Sequence, residues 1–252
     1  MRDCGLTKTT RNGLGLVCRN AVRLLRKLPG GNWLLGWTDP LHIANRCLRQ
    51  SLQKSANFAK GWLLDLGCGG LPYRDIFHHV ERYIGLDLPA NDLADVHGDG
   101  MALPVRDEVF HTVLCNQVLE HVPEPSMLMA EMVRVLRPGG VLLLTTPQTW
   151  GLHRKPNDFY RYTEYGLRYL AEKRGLEVVE VIPTCGLSAT LAQRIADTVV
   201  YTEPNRRPPW LELSLSLLMA PVLMTGYGFD KLFGKRGDPL DHVLIARKPD
   251  DS

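Results

Sequence analysis

Four short segments of this chain carry residue types able to grip a small polar molecule. Asp65-Leu66-Gly67-Cys68-Gly69-Gly70 closes an apolar run, Trp62–Leu66. Glycines at the end of a strand let the backbone turn tightly, approach a ligand and aim peptide N–H groups at it. Asp87 comes 22 residues after Asp65, at the end of a second apolar run, Tyr83–Leu88. An acidic side chain there accepts hydrogen bonds from a ribose 2′,3′-diol. Asp99 stands in Gly98-Asp99-Gly100-Met101. Its carboxylate can accept from an adenine amino group while neighbouring N–H groups meet the ring nitrogens. Asn116-Gln117 follows a further run, His111–Cys115.

The elements that position these groups read as strands alternating with helices. The strands are Trp62–Leu66, Tyr83–Leu88, a weak one near Asp95–His97, His111–Cys115 and Val141–Thr145. Pro125–Leu136 has helical spacing, with Leu128, Met132, Val135 and Leu136 on one face, and Arg137-Pro138-Gly139-Gly140 reads as a turn. A helix at Thr163–Lys173, a strand at Leu176–Ile182 and a last strand at His242–Arg247 complete the pattern. Near-continuous apolar strands alternating with helices indicate an α/β fold, a doubly wound, mostly parallel sheet covered on both faces. Ligands bind above the carboxyl edge of such sheets. The four segments all fall there. Together they suit an adenosine bearing a short zwitterionic tail, as in S-adenosylmethionine. A dinucleotide site would want Gly-x-Gly-x-x-Gly, and Pro72 holds its third glycine slot. Asp65 also suits a cationic amino group and would sit badly beside a pyrophosphate.

Five segments in order resemble the motifs of class I S-adenosylmethionine-dependent methyltransferases of the type-11 kind. They are Leu64–Gly69, Tyr83–Asp87, Gly98–Pro104, Asn116-Gln117-Val118-Leu119-Glu120-His121-Val122 and Arg134–Gly140. The resemblance runs from about residue 60 to 182. It implies a Rossmann-like seven-stranded sheet whose last strand is antiparallel. It further implies that Asp65, Gly67, Cys68 and Gly69 hold the methionine end and that Asp87 and Leu88 take the ribose. Asp99, Gly100 and Met101 would take the adenine, and Asn116 and Gln117 the methionine edge. The family usually shows a third glycine where Leu71 stands, so the turn is expected to rest on Gly70. Pro72-Tyr73-Arg74 and the segment from His153 to Thr163 resemble a subgroup of bacterial methyltransferases associated with cell-surface polysaccharides.

Methyl transfer is an in-line displacement, and placing the nucleophile on the sulfur–methyl axis does most of the work. An alcohol acceptor also needs a base as its proton becomes acidic. His121, His153 and Asp158 are the bases expected above the fourth and fifth strands, with Tyr160, Arg161 and Tyr162 shaping the acceptor pocket. His121 alternatively braces a turn, and Cys68 and Cys115 are small fillers. The eight histidines include no His-Glu-x-x-His and no cysteine–histidine cluster, so no metal is expected. Six cysteines without a Cys-x-x-Cys pair point away from a disulfide scaffold and towards the cytoplasm.

Charge is unevenly spread. Residues 1–60 carry eleven Lys/Arg against Asp3 and Asp39, a net +9, whereas the whole chain carries +3. Leu14, Val17, Ala21, Leu24, Leu25 and Leu28 fall at helical spacing among arginines, a basic amphipathic helix. It suits docking on the domain, contact with a membrane surface, a nucleic-acid arm or a targeting peptide. No nucleic-acid partner is expected, since no aromatics interleave these charges and no Asn/Asp-Pro-Pro-Tyr/Phe tetrad follows the fourth strand. The longest uncharged stretch, Leu213–Phe229, has 17 residues with Pro221 inside, short of the about 20 that span a bilayer. Leu211–Leu217 alternates like a strand, but the run to Met224 is long enough for a helix broken at Pro221. The expected organisation is a basic cap (1–59), a methyltransferase core (60–182), an insertion forming a lid or a membrane-proximal patch (183–241) and a last core strand with a tail (242–252). The expected function is O-methylation of a small-molecule, sugar or lipid-linked acceptor. The rivals are a non-catalytic cofactor-binding regulatory module and a nucleic-acid methyltransferase. Membrane-surface contact is expected through the basic helix and residues 211–229, on a protein cytoplasmic or peripheral to a membrane.

Overall fold

The computed structural model describes residues 36–200 and 209–250. The basic amphipathic segment and the breaker at Pro204 and Pro208 lie outside the described residues. In chain order the elements are α1 (His42–Ser55), β1 (Trp62–Leu66), β2 (Arg82–Asp87), β3 (Val96–His97), β4 (Phe110–Asn116), α2 (Pro125–Val135) and β5 (Leu136–Pro147). They continue with α3 (Glu164–Glu172), β6 (Glu177–Pro183), α4 (Leu187–Val200), α5 (Pro209–Phe233) and β7 (Asp241–Arg247). These residues form two compact units, one of 48–184 with 240–250, the other of 36–47 with 185–200 and 209–239.

The first unit is built on one seven-stranded sheet of order β3-β2-β1-β4-β5-β7-β6. β1 to β5 pair in parallel, and β7 alone runs antiparallel to its neighbours β5 and β6. Side chains of a strand alternate between faces, and here both faces are apolar. Leu64, Leu66, Val113, Cys115, Leu142 and Leu144 pack on one side with Leu128, Met132 and Val135 of α2 and Leu167 and Ala171 of α3. Leu63, Leu114, Val141, Leu143, Val243 and Ile245 pack on the other with Leu48 and Leu52 of α1 and with Ile76 and Phe77. Burial on both faces is why these strands read as continuous apolar runs. The strand order reverses at β1, the place where such sheets open a crevice for ligands.

Arg137–Gly140 departs from the turn read in sequence. It lies inside β5, where pairing with β4 passes from Phe110↔Leu136 to Thr112↔Val141, so the extra residues bulge out of the ladder. Gly139 turns there with φ +69°. α3 begins at a cap: Thr163 Oγ1 accepts from Gly166 N at 3.2 Å.

In the second unit the apolar run settles as helix. Ser216, Met219, Ala220 and Leu223 are buried at helical spacing. The break expected at Pro221 is absent: α5 runs 25 residues through it. A proline removes one helical hydrogen bond, and packing against α4 sustains the helix. At Gly226 an added Cβ would stand 2.4 Å from the Cβ of Ala192, so the two backbones meet where only glycine fits. Asp230 of α5 also accepts from Gly186 N and Ala189 N, satisfying free donors at the start of α4. Leu211–Phe233 is long and apolar enough to cross a membrane by length and composition. The 17-residue count is therefore no argument against a span, though a core helix of a soluble protein meets the same measure.

Removing the α3 cap tests this account. Thr163→Ala should cost about 1 kcal/mol of unfolding free energy, read by denaturant titration. No loss would mean that α3 is held by its packing alone.

Candidate active site

The glycine turn is held from below. Gly67 N and Cys68 N both donate to Leu86 O of β2, at 2.8 and 3.1 Å. Gly67 has φ +74°, and a Cβ there would strike Val118. A Cβ at Gly69 or Gly70 would meet nothing within 4 Å, so the turn fronts open space. The turn does not rest on Gly70. Leu71 itself takes the left-handed conformation, φ 56°, which costs a non-glycine residue about 1–2 kcal/mol. Cys68 is buried under the turn against Gly85, and burial pushes its thiol up to about 12, as suits a filler.

Asp87 ends β2 as expected and is tied to the turn. Its Oδ2 accepts from Gly69 N at 2.9 Å and from Asn91 Nδ2 at 2.8 Å, and its Oδ1 accepts from Leu88 N at 2.8 Å. The Leu88 side chain is exposed. Asn91, which sequence reading missed, also donates to Gly69 O at 2.8 Å, so one amide locks Asp87 to the glycine backbone. Its only signal was an Asn four residues beyond the strand. Asp65 is buried, and Tyr83 Oη donates to its Oδ2 at 2.5 Å. Burial raises this carboxyl to about 7, opposed by the Tyr83 hydrogen bond and assisted by the Asp87 charge. Asp99 Oδ1 accepts from Met101 N at 2.9 Å, and a Cβ on Gly100 would strike Leu128. Asn116 and Gln117 both turn to β5. Thr145 Oγ1 donates to Asn116 Oδ1 at 2.7 Å, and Gln117 donates to Thr145 through its backbone N and its Nε2.

At the adjacent ends of β4 and β5 a second cluster forms. His121 closes a 3₁₀ turn, Leu119–His121, and His153 lies on the loop after β5. Their rings meet edge to face with centroids 4.7 Å apart. His121 Nδ1 lies 2.6 Å from Asn157 O, and His153 Nδ1 lies 3.1 Å from Gly151 O. A carbonyl oxygen only accepts, so His121 Nδ1 carries the proton; at His153 the Gly151 O contact, shorter than the 3.5 Å approach of Arg161 Nη2, favours the same tautomer, and each Nε2 keeps its lone pair. Burial lowers both imidazole pKa values, leaving the pair neutral at pH 7. Asp158 differs from the base expected. Arg161 grips it through Nη1 and Nη2 at 2.7 and 2.9 Å, and His153 N adds a third bond. The Arg161 hydrogen bonds hold it at about 2. A carboxylate so held is a weak base, and the geometry favours it as the clamp that shapes the loop. Arg161 also donates to Gly151 O and Trp150 O. Tyr160 Oη donates to Pro123 O, and Tyr162 is buried.

Glu120, read only as part of a motif, is fully buried beside this pair. Neither carboxylate oxygen has a hydrogen-bond partner among the described residues. Burial pushes it up to about 8, against a weaker pull from its own backbone N–H. Its signal in sequence was an acid set between Leu119 and His121.

Comparison with known proteins fits this geometry. The methyltransferase domain family matches residues 64–144. A Mycolicibacterium smegmatis protein named "Probable S-adenosylmethionine-dependent methyltransferase" is 32% identical over 213 residues, covering 74% of this chain and 81% of that one. The ubiquinone biosynthesis O-methyltransferase of Xanthomonas oryzae is 29% identical over 156 residues, covering 54% and 61%. Among solved structures, phosphoethanolamine N-methyltransferase 2 of Haemonchus contortus, in complex with S-adenosyl-L-methionine, aligns with a TM-score of 0.51 at 18% identity, covering 79% of this chain and 52% of that one. The chain belongs to the S-adenosylmethionine-dependent methyltransferases, and S-adenosylmethionine is its cofactor. The residues present fit it: an open glycine backbone, a buried acid suited to an ammonium, and an acid at the end of β2 with about one of its roughly four acceptor sites still open.

If Asp65 is the counter-charge of the cofactor's ammonium, its raised carboxyl makes cofactor affinity depend on pH. As pH falls through about 7 the carboxyl takes up its proton in the free protein, and the ammonium loses its counter-charge. Calorimetry with S-adenosylhomocysteine should show Kd rising as pH falls from 7.5 to 5.5, by up to about tenfold per unit, and Asp65→Asn should flatten the slope. A flat wild-type profile would put the ammonium elsewhere.

Proposed function

We propose that the enzyme methylates a hydroxyl oxygen of a small-molecule, sugar or lipid-linked acceptor that enters above β4 and β5. The carrying observation is the pair of neutral imidazoles, His121 and His153, each with its Nε2 lone pair uncommitted to the backbone. When bound, the cofactor supplies an electrophilic methyl group on a sulfonium. Asp65, Gly67 and Gly69 would hold its amino-acid end, Asp87 its ribose, and Asp99 with Met101 its adenine. Asn116, Gln117 and Thr145 would line the edge between it and the acceptor. His121 and His153 are the groups that activate the hydroxyl, and Asp158 and Arg161 position His153. An oxygen acceptor is in keeping with the name of the Xanthomonas relative.

A second observation favours a lipid-linked acceptor at a membrane surface. Leu191 and Ile195 of α4 and Leu217, Leu218, Phe229, Leu232 and Phe233 of α5 are exposed. Exposed apolar side chains in such number mark interaction surfaces. The six cysteines, scattered without a Cys-x-x-Cys pair, suit a reducing compartment such as the cytoplasm. Anionic vesicles should retain the protein at low salt and release part of it as salt screens the charges. No retention at low salt would remove the membrane reading.

The cofactor and acceptor assignments separate experimentally. Asp87→Ala should lose about 2–4 kcal/mol of S-adenosylhomocysteine affinity, the worth of hydrogen bonds to a charged acceptor. An unchanged affinity would overturn the ribose assignment. With tritiated S-adenosylmethionine and a panel of phenols, glycosides and polyprenyl-linked sugars, His121→Ala and His153→Ala should lower kcat on the order of 100-fold or more at unaltered cofactor affinity. Transfer confined to amines would overturn the oxygen reading.

A further inference from the structure

We propose that the Glu120 carboxylate and the Nε2 atoms of His121 and His153 form a binding site for one divalent transition-metal ion. This deepens the reading above and rests on it for the role of the histidine pair. One ligand atom from each of the three residues lies within 4.8 Å of the others, and His121 Nε2 stands 3.7 Å from Glu120 Oε1. Ligands of a tetrahedral zinc ion, each about 2.0–2.2 Å from it, lie about 3.3–3.6 Å apart. Loading the ion would draw the three donor atoms together by up to about 1.5 Å.

Three features point to an ion rather than to chance proximity. The first is the donor set. Two imidazoles and one carboxylate are the ligands of catalytic zinc and of related divalent ions that keep positions open for oxygen donors. Magnesium and calcium prefer all-oxygen sites and fit less well. The second is the support behind each histidine. Ligating imidazoles almost always donate their other N–H to a carbonyl or carboxylate, which aims the free nitrogen. His121 and His153 do so to Asn157 O and Gly151 O. The third is Glu120 itself. A buried carboxyl with neither oxygen hydrogen-bonded to a described residue is costly, and a cation that displaces its proton to solvent and sits between it and the two imidazoles removes that cost. The remaining charges facing the cluster balance, Arg154 and Arg161 against Asp158 and Asp241.

An ion so held lowers the pKa of an oxygen acid that reaches it, so the histidine pair would activate a hydroxyl through the ion. The reading from sequence of no metal overlooked the site because its ligands lie 33 residues apart and come from two loops.

The test uses the full chain stripped with chelator. Calorimetry with zinc and visible spectroscopy with cobalt should show one equivalent bound, with cobalt absorption bands of a nitrogen–oxygen site. Glu120→Gln, His121→Gln and His153→Gln should each weaken binding by more than the about 10–100-fold that loss of a group behind a ligand costs. Thermal melting checks each variant's fold. If the buried Glu120→Gln variant fails to fold, the half-buried His153→Gln variant decides. S-adenosylhomocysteine affinity is measured on the same samples. No binding by the wild type, or equal binding by the folded variants, overturns the proposal and leaves the cofactor reading standing if S-adenosylhomocysteine still binds. Variant-sensitive metal binding without S-adenosylhomocysteine binding would support the metal site and overturn the cofactor assignment.

Discussion

Everything at the site depends on parallel strands ending side by side. Leu66 of β1 is level with Leu86 of β2 and Cys115 of β4, and Asn116 of β4 is level with Thr145 of β5. A slip of one residue would turn every core side chain to the wrong face, so burial on both faces fixes the register. Fixed register then fixes where each strand stops, and the chemistry sits on the next residues of each loop. The glycine turn leans on Leu86 O, and Asp87 reaches back to Gly69. The cofactor side is in this sense a by-product of sheet packing.

Two acids, Asp65 and Glu120, are buried at this edge, and each pays in the ionised form. Asp65 keeps one partner, Tyr83, while Glu120 keeps none by hydrogen bond. Asp158 shows the other solution, a buried acid met by a two-pronged guanidinium and a backbone N–H. The contrast separates roles. An acid already clamped by a guanidinium holds structure, whereas a buried acid with no guanidinium hydrogen-bonded to it is placed for a cationic ligand. Among non-glycine residues at positive φ, Leu71, Gln117 and Arg154 follow β1, β4 and β5, whereas Glu108 precedes β4.

The sequence determined the sheet and where its strands end. Near-continuous apolar runs, glycine punctuation and acids at strand ends are local signals, and strands β1, β2, β4 and β7 lie where those signals put them. The antiparallel last strand came from the resemblance and is present. Local signals misread two places. Arg137–Gly140 looks like a turn but bulges inside a ladder, because pairing with β4 resumes beyond it. Pro221 looks like a break but is carried by packing of α5 on α4. The resemblance put the pivot at Gly70, yet Leu71 turns.

What only the tertiary structure decided is which polar groups share a surface and which are already spent. Asn91 and Thr145 carry no motif, and their roles exist only where two chain segments meet. Asp158 and His153 look equally basic in sequence; Arg161 three residues on takes one out of that role by neutralising it at close range. Glu120 is one letter in a motif until the fold removes water from both its oxygens and sets two imidazole lone pairs beside it. Charge and pKa depend on distance and burial, and neither is written in the order of residues.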